Sequence, residues 1–503
     1  MNRLITSVLV GLVGLNAVLQ ADPTKPKLVV GIMVDQLRTD YIDYLRDLFG
    51  ERGLKLLADS GLNLRNVDFG VAGLNGGVAT AEVMSGAYPR TNGVTSVLTA
   101  TGQLSPDQLT VTTIADELAI DGGGMANVYA IAPDRATAVA LGGHAANSVI
   151  WLDPNSGQWT TDSYYGPLPQ TAALRNGRQA VAARIDTMVW KPVLPIDRYP
   201  GVAPKKKFYP FRYTFPTSDR DVYRRFARTP LMNREVTDLA IDFINGLKLG
   251  NRGSDATDMI GIGLTAAPYK EASDGNYRLE LADSYIRLDG QIERLINAID
   301  STVGLDHTVV FLSSTGYCDE AVPEDPQFRI PGGELSLKRM KSLLNSYLTA
   351  KYGNGDFVEK IEDNVLTLNH KTIDEKHLDL NEVLTASRSF LNRMSGVDRV
   401  FTFDEILSGN TPEARALQLS TDPHTAPDLT IDYQSGWTVI DDLKYPVTEK
   451  VVRSSAVATP AFILAPALEA ETINTPVDAT ALAATVSGIL RIRSPNASRQ
   501  PIR

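Results

Sequence analysis

The feature that most constrains the fold is a continuous aliphatic run near the start of the chain. Leu28 to Val34 reads Leu-Val-Val-Gly-Ile-Met-Val, and Asp35 follows it directly. A strand that is apolar at successive positions must be covered on both faces, as in a parallel sheet flanked by helices. Because ligands of such sheets collect at the carboxyl ends of the strands, Asp35 stands where a functional site is expected.

Further runs of the same kind follow, and amphipathic helices separate them. Strands are predicted at Asn127–Ile131, Met259–Leu264, Thr308–Ser313 and Pro460–Leu464. The clearest helix is predicted from Leu281 to Thr302, where apolar side chains recur at helical spacing. Strands that alternate with helices predict right-handed crossovers and an α/β fold built on a doubly wound, mostly parallel sheet.

Two stretches interrupt this alternation. From about 160 to 229 the chain is rich in Pro, Tyr, Arg and Lys without a sustained helical period, which predicts an inserted lobe over the sheet edge. From about 319 to 436 it has helices of its own, which predicts a small α+β cap. The α/β core is therefore assigned to residues 22–318, which include the lobe, and to residues 437–503.

The first 21 residues have the three-part order of a secretory signal peptide. Arg3 is basic, an apolar run extends from Leu4 to Leu19, and Ala21 precedes a polar segment. A membrane anchor is the alternative, but the run is shorter than the roughly 20 residues of a spanning helix. We therefore expect cleavage after Ala21, export to the periplasm, and no membrane span in the mature chain.

Charge and cysteine content exclude several classes of protein. The formal net charge is -10, which argues against nucleic acid and anionic membranes as partners, and the basic run Lys205–Lys207 is too short to change this. The one cysteine, Cys318, excludes an internal disulfide and a CxxC zinc site. His144 is expected to pack or to form hydrogen bonds. The histidines form no metal-binding cluster at a strand end: His144, His307, His370, His377 and His424.

Several short segments occur in an order known from one family of hydrolases. They are Val30–Arg38, Met84–Gly86, Pro89–Val94, Gly142–Ala146 and Asp283–Asp289. In this order they resemble the periplasmic, phosphate-irrepressible alkaline phosphatases of the alkaline phosphatase and nucleotide pyrophosphatase/phosphodiesterase superfamily. The resemblance spans almost the whole mature chain. It implies two zinc ions held by carboxylates and imidazoles, and a Thr or Ser nucleophile bound to one of them.

Most of the residues that this chemistry requires are replaced in this sequence. The resemblance places the nucleophile at Gly76, which has no oxygen to attack phosphorus. Of the zinc ligands, only Asp35 remains. The resemblance places other carboxylate and imidazole ligands at four positions that hold different residues here: Ala266, Lys270, Thr315 and Gly316. We expect these positions to converge at one edge of the sheet, with the Lys270 ammonium beside Asp35 where a metal ion is lost.

The substrate-binding positions are only partly kept. Arg135 persists from the pair that grips phosphate oxygens, and Asn75 is the other candidate substrate-binding residue. Two interpretations of Arg135 stay open, namely an anion ligand or a pair with a carboxylate such as Asp35.

Two hypotheses follow from these replacements. The first is a periplasmic, catalytically inactive homologue of alkaline phosphatase without a metal cofactor, which binds an unknown ligand or an envelope protein. The alternative is an active phosphate-ester hydrolase with zinc in a non-standard site. In that case Thr80 or Ser85 would be the nucleophile, and Asp35, Glu82 and Asp319 would surround one metal ion.

Overall fold

A computed structural model describes residues 25–502 apart from 101, 103, 203, 270–277, 320–331, 423, 425–426, 446, 453–456 and 467. The predicted signal peptide, residues 1–21, and Lys270 lie outside the described residues. Among the described residues, no helix is both long enough and apolar enough to cross a lipid bilayer.

The strands occur in this chain order: β1 (Leu28–Asp35), β2 (Leu62–Leu64), β3 (Val67–Asp68), β4 (Val128–Ala132), β5 (Ser148–Leu152), β6 (Trp159–Thr160), β7 (Val189–Trp190), β8 (Tyr213–Thr214), β9 (Asp258–Thr265), β10 (Thr308–Ser314), β11 (Gly333–Ser336), β12 (Val358–Glu362), β13 (Val365–Leu368), β14 (Val397–Thr402), β15 (Leu429–Tyr433), β16 (Trp437–Asp441), β17 (Thr448–Val451), β18 (Ala461–Leu464), β19 (Glu471–Ile473) and β20 (Val477–Asp478).

A nine-stranded sheet lies at the centre of the fold, in the order β19-β2-β18-β10-β1-β9-β4-β5-β6. The predicted strands are its neighbouring central members, and β10, β1, β9, β4 and β5 run parallel. The predicted α/β class and mostly parallel sheet are therefore confirmed. The strand predicted at Pro460–Leu464 differs, because β18 runs antiparallel to both β10 and β2.

The helices occur in this chain order: α1 (Thr39–Leu45), α2 (Leu54–Ser60), α3 (Gly76–Ser85), α4 (Pro89–Asn92), α5 (Ser96–Ala100), α6 (Ile114–Asp121), α7 (Arg135–Gly142), α8 (Gln170–Arg175), α9 (Val181–Arg184), α10 (Pro204–Phe208), α11 (Val222–Ala227), α12 (Pro230–Gly246), α13 (Arg278–Thr302), α14 (Leu337–Tyr352), α15 (His370–Glu375), α16 (Leu380–Leu391), α17 (Phe403–Ser408), α18 (Pro412–Ser420) and α19 (Ala481–Leu490).

Strand β1 separates two hydrophobic cores, as its continuous apolar sequence requires. Val30 and Ile32 belong to the core that includes the apolar faces of α12 and α13. Val29 and Met33 belong to the core on the other face, with residues of α3, α7 and α19. Because both faces are covered, β1 is held rigidly and fixes the position of Asp35 at its carboxyl end.

The two regions that interrupt the alternation have different structures. Residues 160–229 form short helices and the two-stranded pair β7–β8, which joins an aromatic cluster of Trp190, Phe211, Tyr213 and Tyr269. Residues 333–451 form the sheets β12-β13-β15-β14 and β11-β16-β17 around a separate hydrophobic cluster. Since β16 and β17 pair with β11, this part of the structure extends to Val451, past residue 436.

Candidate active site

The carboxyl ends of β1, β9 and β10 bring the predicted site residues together. Asp35 is paired with Thr265 across β1 and β9, and the Asp35 carbonyl accepts a hydrogen bond from the Ala266 N–H at 2.8 Å. From the end of β10, the Thr315 hydroxyl donates to Asp35 Oδ1 at 3.0 Å. The site therefore lies at the sheet edge where the strand order predicts it.

Helix α3 places Gly76 beside this carboxylate. A Cβ atom at Gly76 would lie 3.8 Å from Asp35 Oδ1 and 3.2 Å from the Thr137 hydroxyl oxygen. The position that the resemblance gives to the nucleophile thus faces Asp35, but it carries only hydrogen. Asn75 caps α3, since its Oδ1 accepts from the Val78 N–H at 3.1 Å while its Nδ2 donates to Thr99 Oγ1 at 2.7 Å. Each polar atom of the Asn75 side chain thus has a partner within the protein, and a substrate could use the second N–H of Nδ2 without displacing it.

Hydroxyl groups surround the Asp35 carboxylate on the side of β10. Tyr317 donates to Asp35 Oδ1 at 2.7 Å, in addition to the Thr315 bond. Gln36, at a left-handed φ of 60°, donates its N–H to Thr315 Oγ1 at 2.9 Å and accepts the Asp319 N–H at 2.7 Å. Sequence reasoning did not identify Tyr317, and its only signal is a polar aromatic residue just after a buried strand that ends at the site.

Within the described residues, burial dominates the electrostatics of Asp35. Burial raises the pKa of Asp35 to about 6, and the hydrogen bonds from Tyr317 and Thr315 only partly oppose this rise. The neighbouring carboxylates of Asp319 and Asp134 raise it further. Among the described residues, which do not include Lys270, the charged neighbours that shift this pKa are both negative.

Gly316, a position to which the resemblance gives an imidazole, has no space for a side chain in this structure. Its φ is 75°, in the left-handed region that favours glycine. A Cβ atom there would lie 2.2 Å from Cδ2 of Phe69, far inside van der Waals contact. The buried Phe69 ring therefore fills the space into which a histidine at this position would project.

Arg135 pairs with a carboxylate, but not with the one suggested. Its guanidinium forms a salt bridge with Asp162, donates to the Leu104 carbonyl at 2.9 Å, and lies over the Trp151 ring at 5.5 Å from the centroid. The suggested pair with Asp35 is wrong, because Asp162 at the start of the inserted lobe takes this position. The surrounding cleft has a volume of about 610 Å³ and is lined by Ser105, Asp107, Arg135, Trp151, Thr161, Asp162, Ser163 and Tyr164.

The alternative nucleophiles face their own helix rather than the site. Thr80 donates its hydroxyl to the Gly76 carbonyl at 2.6 Å, and Ser85 donates to the Ala81 carbonyl at 2.6 Å. Both side chains are fully buried, and so is Glu82, whose two carboxyl oxygens have no hydrogen-bond partner in the described part of the chain. Within the same residues, no group of three or more His, Cys, Asp or Glu side chains is arranged to bind a metal ion.

His144 has a structural role, as expected. Its Nδ1 lies 3.0 Å from Asp116 Oδ2, and its Nε2 lies 2.9 Å from the Leu109 carbonyl oxygen. Since both partners accept protons, they favour the doubly protonated ring, and the hydrogen bond to Asp116 is the main cause of a raised His144 pKa. The Gly142–Ala146 segment is thereby attached to α6 through Asp116, which also accepts the backbone N–H groups of His144 and Ala145.

Comparison with known proteins places the chain in a family. A model described as type I phosphodiesterase / nucleotide pyrophosphatase matches residues 29–456. The chain is 27% identical to a calcium-transporting ATPase of Myroides odoratus over 431 residues, 77% of each protein. It is 24% identical to alkaline phosphatase PafA of Elizabethkingia meningoseptica over 531 aligned positions, covering 97% of this chain and 96% of that one. The solved structure of wild-type alkaline phosphatase PafA has a TM-score of 0.80 at 25% identity and covers 95% of this chain and 98% of that one. The chain therefore belongs to the type I phosphodiesterase / nucleotide pyrophosphatase family, within the alkaline phosphatase superfamily.

Proposed function

We propose that this protein is a catalytically inactive member of its family that is exported to the periplasm and binds a ligand or an envelope partner. The observation that carries the proposal is the hydrogen bonding of Asp35. Two neutral hydroxyls, those of Thr315 and Tyr317, bind the same carboxyl oxygen that lies opposite Gly76. A carboxyl group in this setting is a structural acceptor rather than a metal ligand.

The residues at the sheet edge do not fit a zinc ion. A catalytic zinc takes three protein ligands and keeps one open position, and its carboxylate ligand has to be ionised. Here Ala266 has no donor atom in its side chain, the Phe69 ring fills the space of an imidazole at Gly316, and the described residues hold no group of three or more His, Cys, Asp or Glu side chains arranged for a metal ion. Under this proposal, no reaction step at this site involves a metal ion.

The alternative, an active phosphate-ester hydrolase, is favoured by the alkaline phosphatases among the relatives. It requires a hydroxyl that can reach a substrate. The Thr80 and Ser85 hydroxyls are fully buried and donate to carbonyl groups of α3. Either hydroxyl would have to break this hydrogen bond and become accessible before it could attack a substrate, so the geometry favours the inactive protein.

The zinc content of the purified protein tests the proposal. The protein is prepared without chelators, dialysed against buffer with zinc and then without it, and measured by elemental mass spectrometry. The proposal predicts far less than one zinc per chain, unchanged in Asp35→Ala and in the matched control Asp306→Ala, whose carboxylate is exposed. Near-stoichiometric zinc that Asp35→Ala removes and Asp306→Ala retains would contradict it.

A further inference from the structure

The inserted lobe carries an exposed element of lysines and aromatic residues that the site does not use. Helix α10 and the two residues after it read Pro-Lys-Lys-Lys-Phe-Tyr-Pro from 204 to 210. Phe208 is 80% exposed and Tyr209 is 78% exposed, the highest values among the large hydrophobic side chains of the described residues. Lys205 and Lys207 are exposed beside them. We call residues 204–210 the lobe tip.

A buried ion pair anchors the lobe tip to the core. Lys206, the middle lysine, is only 6% exposed, and its Nζ lies 2.5 Å from Glu280 Oε1 at the start of α13. The same carboxyl oxygen accepts the Tyr213 hydroxyl at 2.8 Å. A buried ion pair fixes geometry even where it adds little stability. The middle lysine therefore points inward, while the residues on both sides of it are presented to solvent.

Residues around the lobe tip add further exposed aromatic and basic side chains. Lys207 shares a recess with Tyr199 and Gly201. The Tyr44 hydroxyl lies 3.2 Å from where a Cβ of Gly201 would stand, and the Tyr44 side chain is 60% exposed. Arg212, two residues after Pro210, is also exposed, whereas Asp197 is the acidic residue that lines the recess. Two lysines and two rings are thus exposed within the lobe tip, Arg212 follows two residues later, and Tyr44 is exposed beside Gly201 of the recess that Lys207 lines.

We propose that the lobe tip docks on the surface of an anionic phospholipid bilayer. Aromatic rings prefer the boundary between headgroups and acyl chains, and lysines beside them meet the lipid phosphates. The chain's net charge of -10 does not prevent this, because charges farther than the Debye length of about 10 Å are screened. From the sequence, Lys205–Lys207 is only a short basic run. The structure shows in addition that Phe208 and Tyr209, which follow it, are exposed.

A lipid surface fits this element better than a protein partner does. A stable protein interface needs about 800 Å² on each side, with a central packed region. The lobe tip is a short helix with two exposed rings, and the recess beside it is lined by Asp197 and Lys207 as well as by apolar residues, which suits shallow insertion between headgroups rather than a packed apolar interface. This inference is independent of whether the site at Asp35 is catalytic.

Vesicle sedimentation with the whole mature chain tests the proposal. The probes are vesicles of phosphatidylglycerol with phosphatidylethanolamine, and vesicles of phosphatidylcholine alone. We expect binding to the anionic vesicles that weakens at high salt, and little binding to phosphatidylcholine. Phe208→Ala with Tyr209→Ala should weaken it by about tenfold or more, and each of Lys205→Ala and Lys207→Ala by about fivefold.

Matched surface variants control for general loss of charge or apolar area. Leu174 is 70% exposed and the Lys371 side chain is 84% exposed, both outside the lobe tip. Leu174→Ala with Lys371→Ala should leave vesicle binding unchanged, and every variant should keep the wild-type melting temperature. The proposal is overturned if the chain does not bind anionic vesicles. It is also overturned if the aromatic variants bind like wild type while soluble polyphosphate competes fully, because that result would identify a polyanion site.

Discussion

Replacing Asp35 with Asn tests how much the ionised Asp35 carboxylate destabilises the fold, because asparagine has the same size but cannot ionise. Burial raises the pKa of this carboxyl from 3.8 to about 6 in the folded protein. A carboxyl whose folded pKa is raised stabilises the fold fully below its unfolded pKa, and this contribution is lost as the pH rises through the folded pKa. Since one pH unit corresponds to about 1.4 kcal/mol, the ionised form costs up to about 3 kcal/mol above about pH 6.

Asparagine avoids this cost, keeps Oδ1 as an acceptor, and loses only the long hydrogen bond of 3.5 Å that Asp35 Oδ2 accepts from Gln36 Nε2. The Thr315 and Tyr317 hydroxyls both donate to Oδ1, so a single amide oxygen can accept both bonds. We expect Asp35→Asn to raise the free energy of unfolding by up to about 3 kcal/mol at about pH 8, and to leave it nearly unchanged at about pH 4. Urea denaturation of both proteins, followed by circular dichroism at several pH values, measures the difference.

Asp289→Asn is the matched control, because burial also raises the pKa of Asp289 to about 6. Its two oxygens accept from different backbone groups, Oδ2 from the Gly50 N–H and Oδ1 from the Leu54 N–H, both at 2.7 Å. An amide can accept only one of these bonds and presents N–H donors to the other, so Asp289→Asn should destabilise the fold. Two carboxyls with similar pKa values are thus predicted to respond with opposite sign.

A lower stability of Asp35→Asn at about pH 8 would refute this reasoning, because it would show that a positive charge stabilises the ionised carboxylate. The Lys270→Met background then identifies that charge. If the loss disappears there, the Lys270 ammonium supplies the charge, and the expectation from the sequence holds in place of the one from the described residues. If the loss persists and zinc reverses it in the wild type, the site binds metal.

Three further predictions concern neighbouring residues. Gly316→Ala should destabilise the fold by about 3 kcal/mol or more in urea denaturation, because its Cβ meets the Phe69 ring at 2.2 Å and its φ is 75°. Phe69→Ala in the same chain should recover part of this loss. Glu82 is fully buried, and burial and nearby carboxylates raise its pKa well above the ordinary value. Ionising Glu82 therefore lowers the free energy of unfolding of the wild type as the pH rises above about 4.5, and Glu82→Gln should reduce this fall. An unchanged pH dependence would contradict this prediction. The hydrogen bond with Asp116 raises the pKa of His144. His144→Ala should therefore destabilise the protein most below about pH 6.5, and progressively less as the pH rises through the pKa of the folded state. Thermal melts across that pH range measure this.

The sequence predicts the centre of the fold well because the strands there are buried on both faces. Leu28–Asp35 and Thr308–Ser314 read as continuous apolar runs, and such runs have one stable environment. Ala461–Leu464 is equally apolar, but apolarity does not specify direction, so its antiparallel pairing with β10 was not predictable. A strand that enters the sheet antiparallel to its neighbours has no residue pattern of its own that reveals this direction.

The site could be predicted in part, because strand ends specify an edge but not the packing around it. The proximity of Asp35, Thr315 and Gly76 follows from strand and helix order. The contacts made by Tyr317 and Phe69 depend on the path of loops and on distant segments, which no local pattern encodes. For Arg135, an arginine at a strand end predicts a carboxylate partner, but only the path of the inserted lobe selects Asp162.

The most direct test of the account is hydrolysis of an aryl phosphate monoester and an aryl phosphate diester by the wild-type chain with zinc supplied. We predict turnover that cannot be distinguished from a Gly76→Ala and Asp35→Ala double variant, because under the proposed function Gly76 supplies no nucleophile and the residues that the structure describes hold no metal-binding cluster to stabilise the transition state. Gly76→Thr should also stay at background, although its Cβ atom would lie 3.8 Å from Asp35 Oδ1 once the Thr137 hydroxyl, at 3.2 Å, has moved slightly. Zinc-dependent turnover by the wild type above the double variant would contradict the account and show that the chain is an active hydrolase.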